Sequence, residues 1–175
     1  MCHGNGSPLG GASAYEGSPL PTLDEVMMSA RHRIQLRHNF ETAHRLSASD
    51  APIKCQSIHG HSWWVTITLE SSALDERGMI VEFGLFKKRW RALLDDRLDH
   101  HLVVKRGDIV AEAILSVQPD ARILTLEHDP TTEYLAMWIH EQSSRILQEL
   151  DAAVEVVVRR VHLQETSVNA AEYEV

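Results

Sequence analysis

From His32 to Thr42 the chain alternates apolar and polar positions, with Ile34, Leu36, His38 and Phe40 on one side. From Ser62 to Glu70 it does so again through Trp63, Val65, Ile67 and Leu69. A two-residue period sends successive side chains to opposite faces, so both segments predict antiparallel strands with one buried face. Between them, Ser47 to Ser57 is polar and contains Pro52, which predicts a loop of the kind that carries reactive groups on a rigid sheet. Gly78 marks a turn before Met79-Ile80-Val81. Phe83 to Leu98 then places Phe83, Phe86, Trp90, Leu93, Leu94 and Leu98 at helical spacing, the stripe of a helix facing a core. A short helix over Ala111 to Val117 and a short buried strand over Arg122 to Leu126 come next. Pro130-Thr131-Thr132-Glu133 opens a helix that runs to about Leu150 on Leu135, Trp138, Ile139, Ile146 and Leu147. Val154 to Gln164 alternates once more, with a slip near Arg159-Arg160 that predicts a bulge. Ala170 to Val175 predicts an edge strand. This order describes an α+β domain with helices on one face of an antiparallel sheet.

The length of 175 residues and the 43% hydrophobic content suit one domain with its own core. Five of the nine glycines and three of the six prolines fall in the first thirty residues, which lack the basic and apolar regions of a signal peptide. The expected organisation is a flexible leader over 1–30 and a domain over 31–175, with a natural start near Met27 or Met28. A net charge of −8 argues against nucleic acid as a partner, because phosphate backbones are held by clustered Lys and Arg. Lys87-Lys88 and Arg159-Arg160 read as solvated faces. No stretch reaches the apolar length needed to cross a bilayer. With only Cys2 and Cys55, no disulfide framework is available, and a reduced thiol at Cys55 fits a cytoplasmic location.

Candidate chemistry centres on His44, in Ala43-His44-Arg45-Leu46, and on His59-Gly60-His61. On a strand, residues two apart share a face, so His59 and His61 can offer two imidazoles to one ion while Gly60 lets backbone pass closely. Three neutral imidazoles plus a water describe a catalytic zinc with one position open. A closed structural site including Cys55 is the rival reading, disfavoured because the domain holds a single cysteine. An open zinc can acidify neighbouring oxygens of a substrate, and a thiol near it can be drawn to a pKa useful for a base. Asp99-His100 reads either as a proton-transfer pair or as a polar pair closing a helix. Glu165 reads as a solvated strand end or as a carboxylate that grips a planar amino-imino edge. Thr131, Thr132 and Glu133 read as a helix cap.

Taken in order, Ala43-His44-Arg45-Leu46, Cys55-x-x-x-His59-Gly60-His61-Ser62, Gly78-Met79-Ile80-Val81-x-Phe83, Leu98-Asp99-His100, Pro130-Thr131-Thr132-Glu133 and Glu165-Thr166 resemble the pyruvoyl- and carboxy-tetrahydropterin synthase family from about residue 32 to the C-terminus. The resemblance implies the tunnelling fold (T-fold): a four-stranded antiparallel sheet with two main helices on one face, subunits joining their sheets into a barrel. It implies a homo-oligomer, a hexamer built as a dimer of trimers, with active sites between subunits. It also implies Zn2+ on His44, His59 and His61, a proton-abstracting Cys55, an Asp99–His100 pair reaching the site from an adjacent subunit, and Glu165 anchoring the pterin and taking part in the relay. Thr131, Thr132 and Glu133 match a segment lining the pterin pocket.

The three-residue spacing between Cys55 and His59 resembles the bacterial 6-carboxytetrahydropterin synthases of the queuosine pathway. The implied reaction converts 7,8-dihydroneopterin triphosphate to 6-carboxy-5,6,7,8-tetrahydropterin, acetaldehyde and triphosphate, feeding queuosine or another 7-deazapurine. The closest alternative is pyruvoyl-type activity with triphosphate elimination; the alternative of another class is a non-catalytic zinc- or pterin-binding module. Four departures stand out: Glu82 where aspartate is common, the bulky Trp63-Trp64 at the pocket rim, His101 beside His100, and no phosphate cradle. Lys54, Lys105 and Arg106 are the cations considered for the triphosphate.

Overall fold

The two longest strands, β1 (His32–His44) and β2 (His59–Ser71), pair antiparallel along their whole length, from His32 opposite Ser71 to His44 opposite His59. A computed structural model describes Thr22, residues 30–150, Ala152 and residues 154–175. The expected leader therefore lies, apart from Thr22 and Ala30, outside the described residues. Both strands extend past the expected ends because Thr42, His44, His59 and His61 continue the inward-facing series. Polar residues give a hydropathy pattern no signal, although their side chains occupy the same face.

Strand β5 (Val157–Gln164) pairs antiparallel with β2, and β6 (Ala170–Glu174) with β5. These four strands form the expected antiparallel set. On the far side of β1 the sheet continues with β3 (His101–Lys105) and β4 (Ile123–Leu126), both parallel to their neighbours, in the order β4-β3-β1-β2-β5-β6. The sheet is thus six-stranded and mixed, a correction to the four-stranded antiparallel expectation. Two parallel strands need a crossover, and the helix of Ile109–Val117 supplies it. Strand β3 escaped the pattern because it is five residues long and starts inside the polar Asp99-His100-His101 run.

In chain order the helices are α1 (Ile53–Gln56), α2 (Phe83–Arg97), α3 (Ile109–Val117) and α4 (Thr132–Gln148). The single turn α1 interrupts the segment expected to be loop. Helix α2 starts on Glu82, whose carboxylate accepts from the N–H groups of Gly84 and Leu85 at 2.7 Å each, so the residue in the usual aspartate position is a helix cap. Helix α4 starts on Thr131, whose hydroxyl accepts from Tyr134 N–H at 3.2 Å. Phe86, Trp90 and Leu94 of α2 and Leu135, Ala136, Ile139 and Leu147 of α4 are buried against one sheet face, with Leu36, Phe40, Trp63, Val65, Ile67 and Leu69. Burying each of the larger apolar side chains contributes roughly 1.5–3 kcal/mol, which is what holds the helices on this face. Phe83, the first member of the α2 stripe, is exposed instead.

The slip near Arg159-Arg160 is a bulge. Thr68 faces Arg160 and Leu69 faces Val158, which leaves Arg159 as the extra residue. One extra residue reverses which parity points inward, so Val158 and Val161 are both buried although three positions apart. Beyond the bulge the inward series is Val161, Leu163 and then Glu165.

Candidate metal centre and the clefts beside it

The buried face of β1 and β2 ends in three histidines. In the ladder, His44 lies opposite His59 and Thr42 opposite His61, so all three imidazoles project from the face that carries Phe40 and Trp63. Ring centroids are 4.4 Å apart for His44–His59, 5.1 Å for His59–His61 and 5.2 Å for His44–His61. One nitrogen from each ring lies within 4.8 Å of the other two, a span that a single ion can bridge. The indole of Trp63 closes the inner side, edge-on to His44 at 5.2 Å and to His61 at 5.4 Å, while its N–H donates to Thr42 O.

The hydrogen bonds on the rings select the tautomer a metal needs. His44 Nδ1 donates to Pro130 O at 2.8 Å and His59 Nδ1 donates to Ser57 O at 2.8 Å; a carbonyl only accepts, so both Nδ1 atoms carry the proton. That leaves a lone pair on each Nε2. Among the described residues, Nε2 of His44 and of His61 are buried with no hydrogen-bond partner, which is costly for a polar atom unless something else occupies the space. An orphaned Nε2 lone pair backed by a carbonyl-bound Nδ1–H, as in His44, is the pattern of a metal-binding imidazole, and the three residues fit a divalent ion. Burial lowers the pKa of His44, with the neighbouring His59 and His61 adding to the effect while Pro130 O and Glu165 oppose it. Burial likewise lowers that of His61. The lowered values favour the neutral form, the one able to ligate a metal.

Glu165 joins this group. Its Oε1 lies 3.6 Å from Nε2 of both His44 and His61, and its backbone N–H donates to Asn169 O in the turn that leads to β6. The bulge at Arg159 gives Glu165 its inward parity. His61 stands between two clefts. One, of about 460 Å³, opens where β2 and β5 diverge and is lined by Gly60, His61, Ser62, Trp64, Gln164 and Glu165, among others. The other, of about 540 Å³, lies along β1 and includes Glu41, His61, His100, His101 and Arg122. A methyl group at Gly60 would meet Thr42 O at 3.4 Å, an ordinary contact, so strand pairing alone does not demand the glycine; its place is at the junction of the two clefts. Trp63 and Trp64 have separate roles: the first is core, whereas the second is exposed at the cleft rim with the Arg37 guanidinium 4.4 Å above its ring.

Asp99 and His100 follow the last turn of α2, and the backbone of His100 is left-handed, with φ 55. That conformation is normally left to glycine. It is held by His100 N–H on Glu41 O at 2.7 Å, by Asp99 Oδ1 accepting from Glu41 N–H at 2.8 Å, and by Arg122 on the carbonyls of Asp95 and Asp99. His100 Nε2 lies 3.6 Å from Asp99 Oδ2, so the adjacent pair does meet, and the His100 side chain is 76% exposed. The side chain of His101 turns to Asp99 O at 2.9 Å, and burial lowers its pKa.

Cys55 is half-buried on α1 and stands outside the three-histidine group. Neither cleft beside His61 is lined by Cys55, Thr131, Thr132 or Glu133. Arg106 pairs with Glu127, away from both clefts. Two contributors escaped the sequence reading. Pro130 supplies the carbonyl for His44. Asp129 accepts from Ser47 N–H, Ser47 Oγ–H and Ala48 N–H, clasping the chain after His44 to the start of α4. Burial opposes ionisation of Asp129, yet these three donors outweigh it and hold the carboxyl below its ordinary range. Asp before Pro at a helix start was the available signal, and it reads equally well as a plain turn.

Comparisons with known proteins agree with this picture. The family model described as 6-pyruvoyl tetrahydropterin synthase matches residues 33–175. A 6-carboxy-5,6,7,8-tetrahydropterin synthase from Rickettsia bellii is 29% identical over 130 residues, covering 74% of this chain and 91% of the relative. The Aquifex aeolicus protein of that name is 30% identical over 123 residues, covering 69% and 75%. Among solved structures, an uncharacterized protein from Wolinella succinogenes superposes with a TM-score of 0.70 at 21% identity, covering 83% of this chain and 99% of that one. Caenorhabditis elegans 6-pyruvoyl tetrahydropterin synthase does so with a TM-score of 0.58 at 18% identity, covering 83% and 96%. With a family model running from the second residue of β1 to the C-terminus, the chain belongs to the 6-pyruvoyl tetrahydropterin synthase family.

Proposed function

We propose that the domain over 31–175 is a zinc-dependent carbon-carbon lyase that converts 7,8-dihydroneopterin triphosphate to 6-carboxy-5,6,7,8-tetrahydropterin, acetaldehyde and triphosphate, on the way to queuosine or another 7-deazapurine. The observation that carries this reading is the three-imidazole cluster, with the Nδ1–H groups of His44 and His59 on backbone carbonyls and orphaned Nε2 atoms on His44 and His61. The relatives named 6-carboxy-5,6,7,8-tetrahydropterin synthase support the choice of product.

In this reading His44, His59 and His61 hold the ion, which when bound polarises the side-chain oxygens of the substrate and makes the adjacent protons acidic. Glu165 accepts two hydrogen bonds from the amino-imino edge of the pterin, in the cleft where β2 and β5 diverge. Cys55 takes a proton as thiolate, and His100, charge-stabilised by Asp99, returns one. Thr131, Thr132 and Glu133 contribute the pterin-lining segment. The family resemblance supports a cytoplasmic homohexamer, a dimer of trimers, in which Asp99 and His100 reach the site of an adjacent subunit. Zinc-loaded protein incubated with 7,8-dihydroneopterin triphosphate should yield 6-carboxytetrahydropterin by mass spectrometry. A pyruvoyl product would replace the lyase reading with the pyruvoyl-type one, and unchanged substrate would end both.

A further inference from the structure

Helix α1 presents a physical problem. It is four residues long, contributes no buried residue, and carries Cys55. A helix of one turn has no stability of its own, so its position has to be imposed by polar contacts. Those contacts come from the chain just beyond His44. Leu46 N–H donates to Cys55 O at 2.8 Å, and Arg45 Nε donates to Gln56 O at 2.8 Å.

The second arm of the Arg45 guanidinium pairs with the carboxylate of Asp108. Arg45 is 14% exposed at its side chain and Asp108 0%, so the pair is shielded from solvent. The other oxygen of Asp108, Oδ1, accepts from the N–H groups of Val110 and Ala111 at 3.0 Å each, capping the start of α3. The guanidinium therefore ties the Cys55 turn to the crossover helix through a planar fork that an ammonium group cannot reproduce.

We propose that Arg45 and Asp108 are positioning residues for Cys55: their pair, together with Leu46 N–H on Cys55 O, fixes the α1 turn against the chain that follows His44. The inference rests on the role given to Cys55 above. Arg45→Lys keeps the charge facing Asp108 but loses the two-point fork. Asp108→Asn keeps an oxygen for the α3 cap but loses the ionic partner, which makes it an independent second variant.

In each variant, with excess zinc, the metal content is expected to stay at the wild-type value and KM to stay unchanged. Turnover should fall by about 10- to 100-fold, the scale of a misplaced reacting group. Alkylation of Cys55 by iodoacetamide, followed by peptide mass spectrometry, should become several-fold faster as the turn loosens. Unaltered Cys55 alkylation in both variants overturns the proposal, as does loss of zinc in both, which would assign the pair to the metal centre or the fold as a whole. If one variant fails to fold, the other decides by the same readings. Should wild-type protein make no carboxypterin, the lyase reading fails, while the alkylation comparison still judges the clasp.

Discussion

The histidine cluster and the groups assigned to proton transfer are built on opposite principles. His44, His59 and His61 stand on the longest and most regular ladder of the sheet, on the face that also forms the core, and each is placed by strand register. Cys55 stands on a single helical turn that buries nothing, and His100 on a residue with left-handed backbone. The first set inherits the rigidity of the sheet. The second is placed by a handful of hydrogen bonds from Arg45, Leu46, Glu41 and Arg122. Metal ligands need invariant convergence, which a strand pair supplies directly. Groups that move protons need placement to a hydrogen-bond length, and for the residues proposed for that role the placement depends on irregular chain anchored from a distance.

The largest test of the contrast separates metal from turnover. His44→Ala should lose zinc and all turnover together, and it should lower thermal stability, because it removes a buried ring and leaves Pro130 O without its donor. Cys55→Ala and His100→Gln should keep zinc while lowering turnover by about 100- to 10,000-fold, the usual contribution of acid-base groups. Zinc analysis beside turnover measures both. Retention of zinc by His44→Ala, or its loss in Cys55→Ala, would erase the distinction.

A smaller effect is expected from pH. In metal-free protein, His44 and His61 have pKa values lowered from 6.5, mainly by burial. Well above that value both the folded and the unfolded chain hold these rings neutral, and stability does not depend on them. As pH falls below 6.5 the unfolded chain binds protons that the folded chain resists, so folding stability declines toward acid. Urea titrations of the metal-free protein across this range should show the decline, and replacing His44 should reduce it. Zinc affinity should correspondingly persist to lower pH than at an exposed three-histidine site, since proton competition for Nε2 begins later.

The smallest expected effect concerns the backbone of His100. A left-handed residue costs roughly 1–2 kcal/mol when it carries a Cβ, so His100→Ala should be less stable than His100→Gly by about 1 kcal/mol in chemical denaturation, with turnover lost in both. Equal stability would mean that the hydrogen bonds from Glu41 and Arg122 do not hold His100 in this conformation.

Much of the fold could be read from hydropathy. The alternations of β1, β2 and β5 and the stripes of α2 and α4 are strong because both elements bury one face continuously. Even the bulge was legible, as a break in valine spacing at Arg159. Strand β3 and the parallel arrangement of β4 were not, since five residues opening on a histidine carry too little pattern, and parallel pairing depends on where α3 returns the chain. At the site, the HxH spacing and the order of motifs pointed to the three histidines that the structure brings together. The chain alone gave no sign of Pro130 O as a support for His44, because a backbone carbonyl has no residue signature, and Asp129 before Pro130 reads equally well as a plain turn.

The amino-acid sequence by itself determined the types of the long elements, the inward series that places three imidazoles at the end of the β1–β2 face, and membership of a recognisable family. Periodicity and spacing are local properties, and a chain states them directly. Only the tertiary structure decided that Glu165 meets the same histidines across the sheet, that His100 turns through left-handed backbone against Glu41, and that Arg45 reaches Asp108 behind the Cys55 turn. Those contacts join residues scores of positions apart. Their formation depends on how the sheet and its crossover bring distant segments together, which no local pattern encodes.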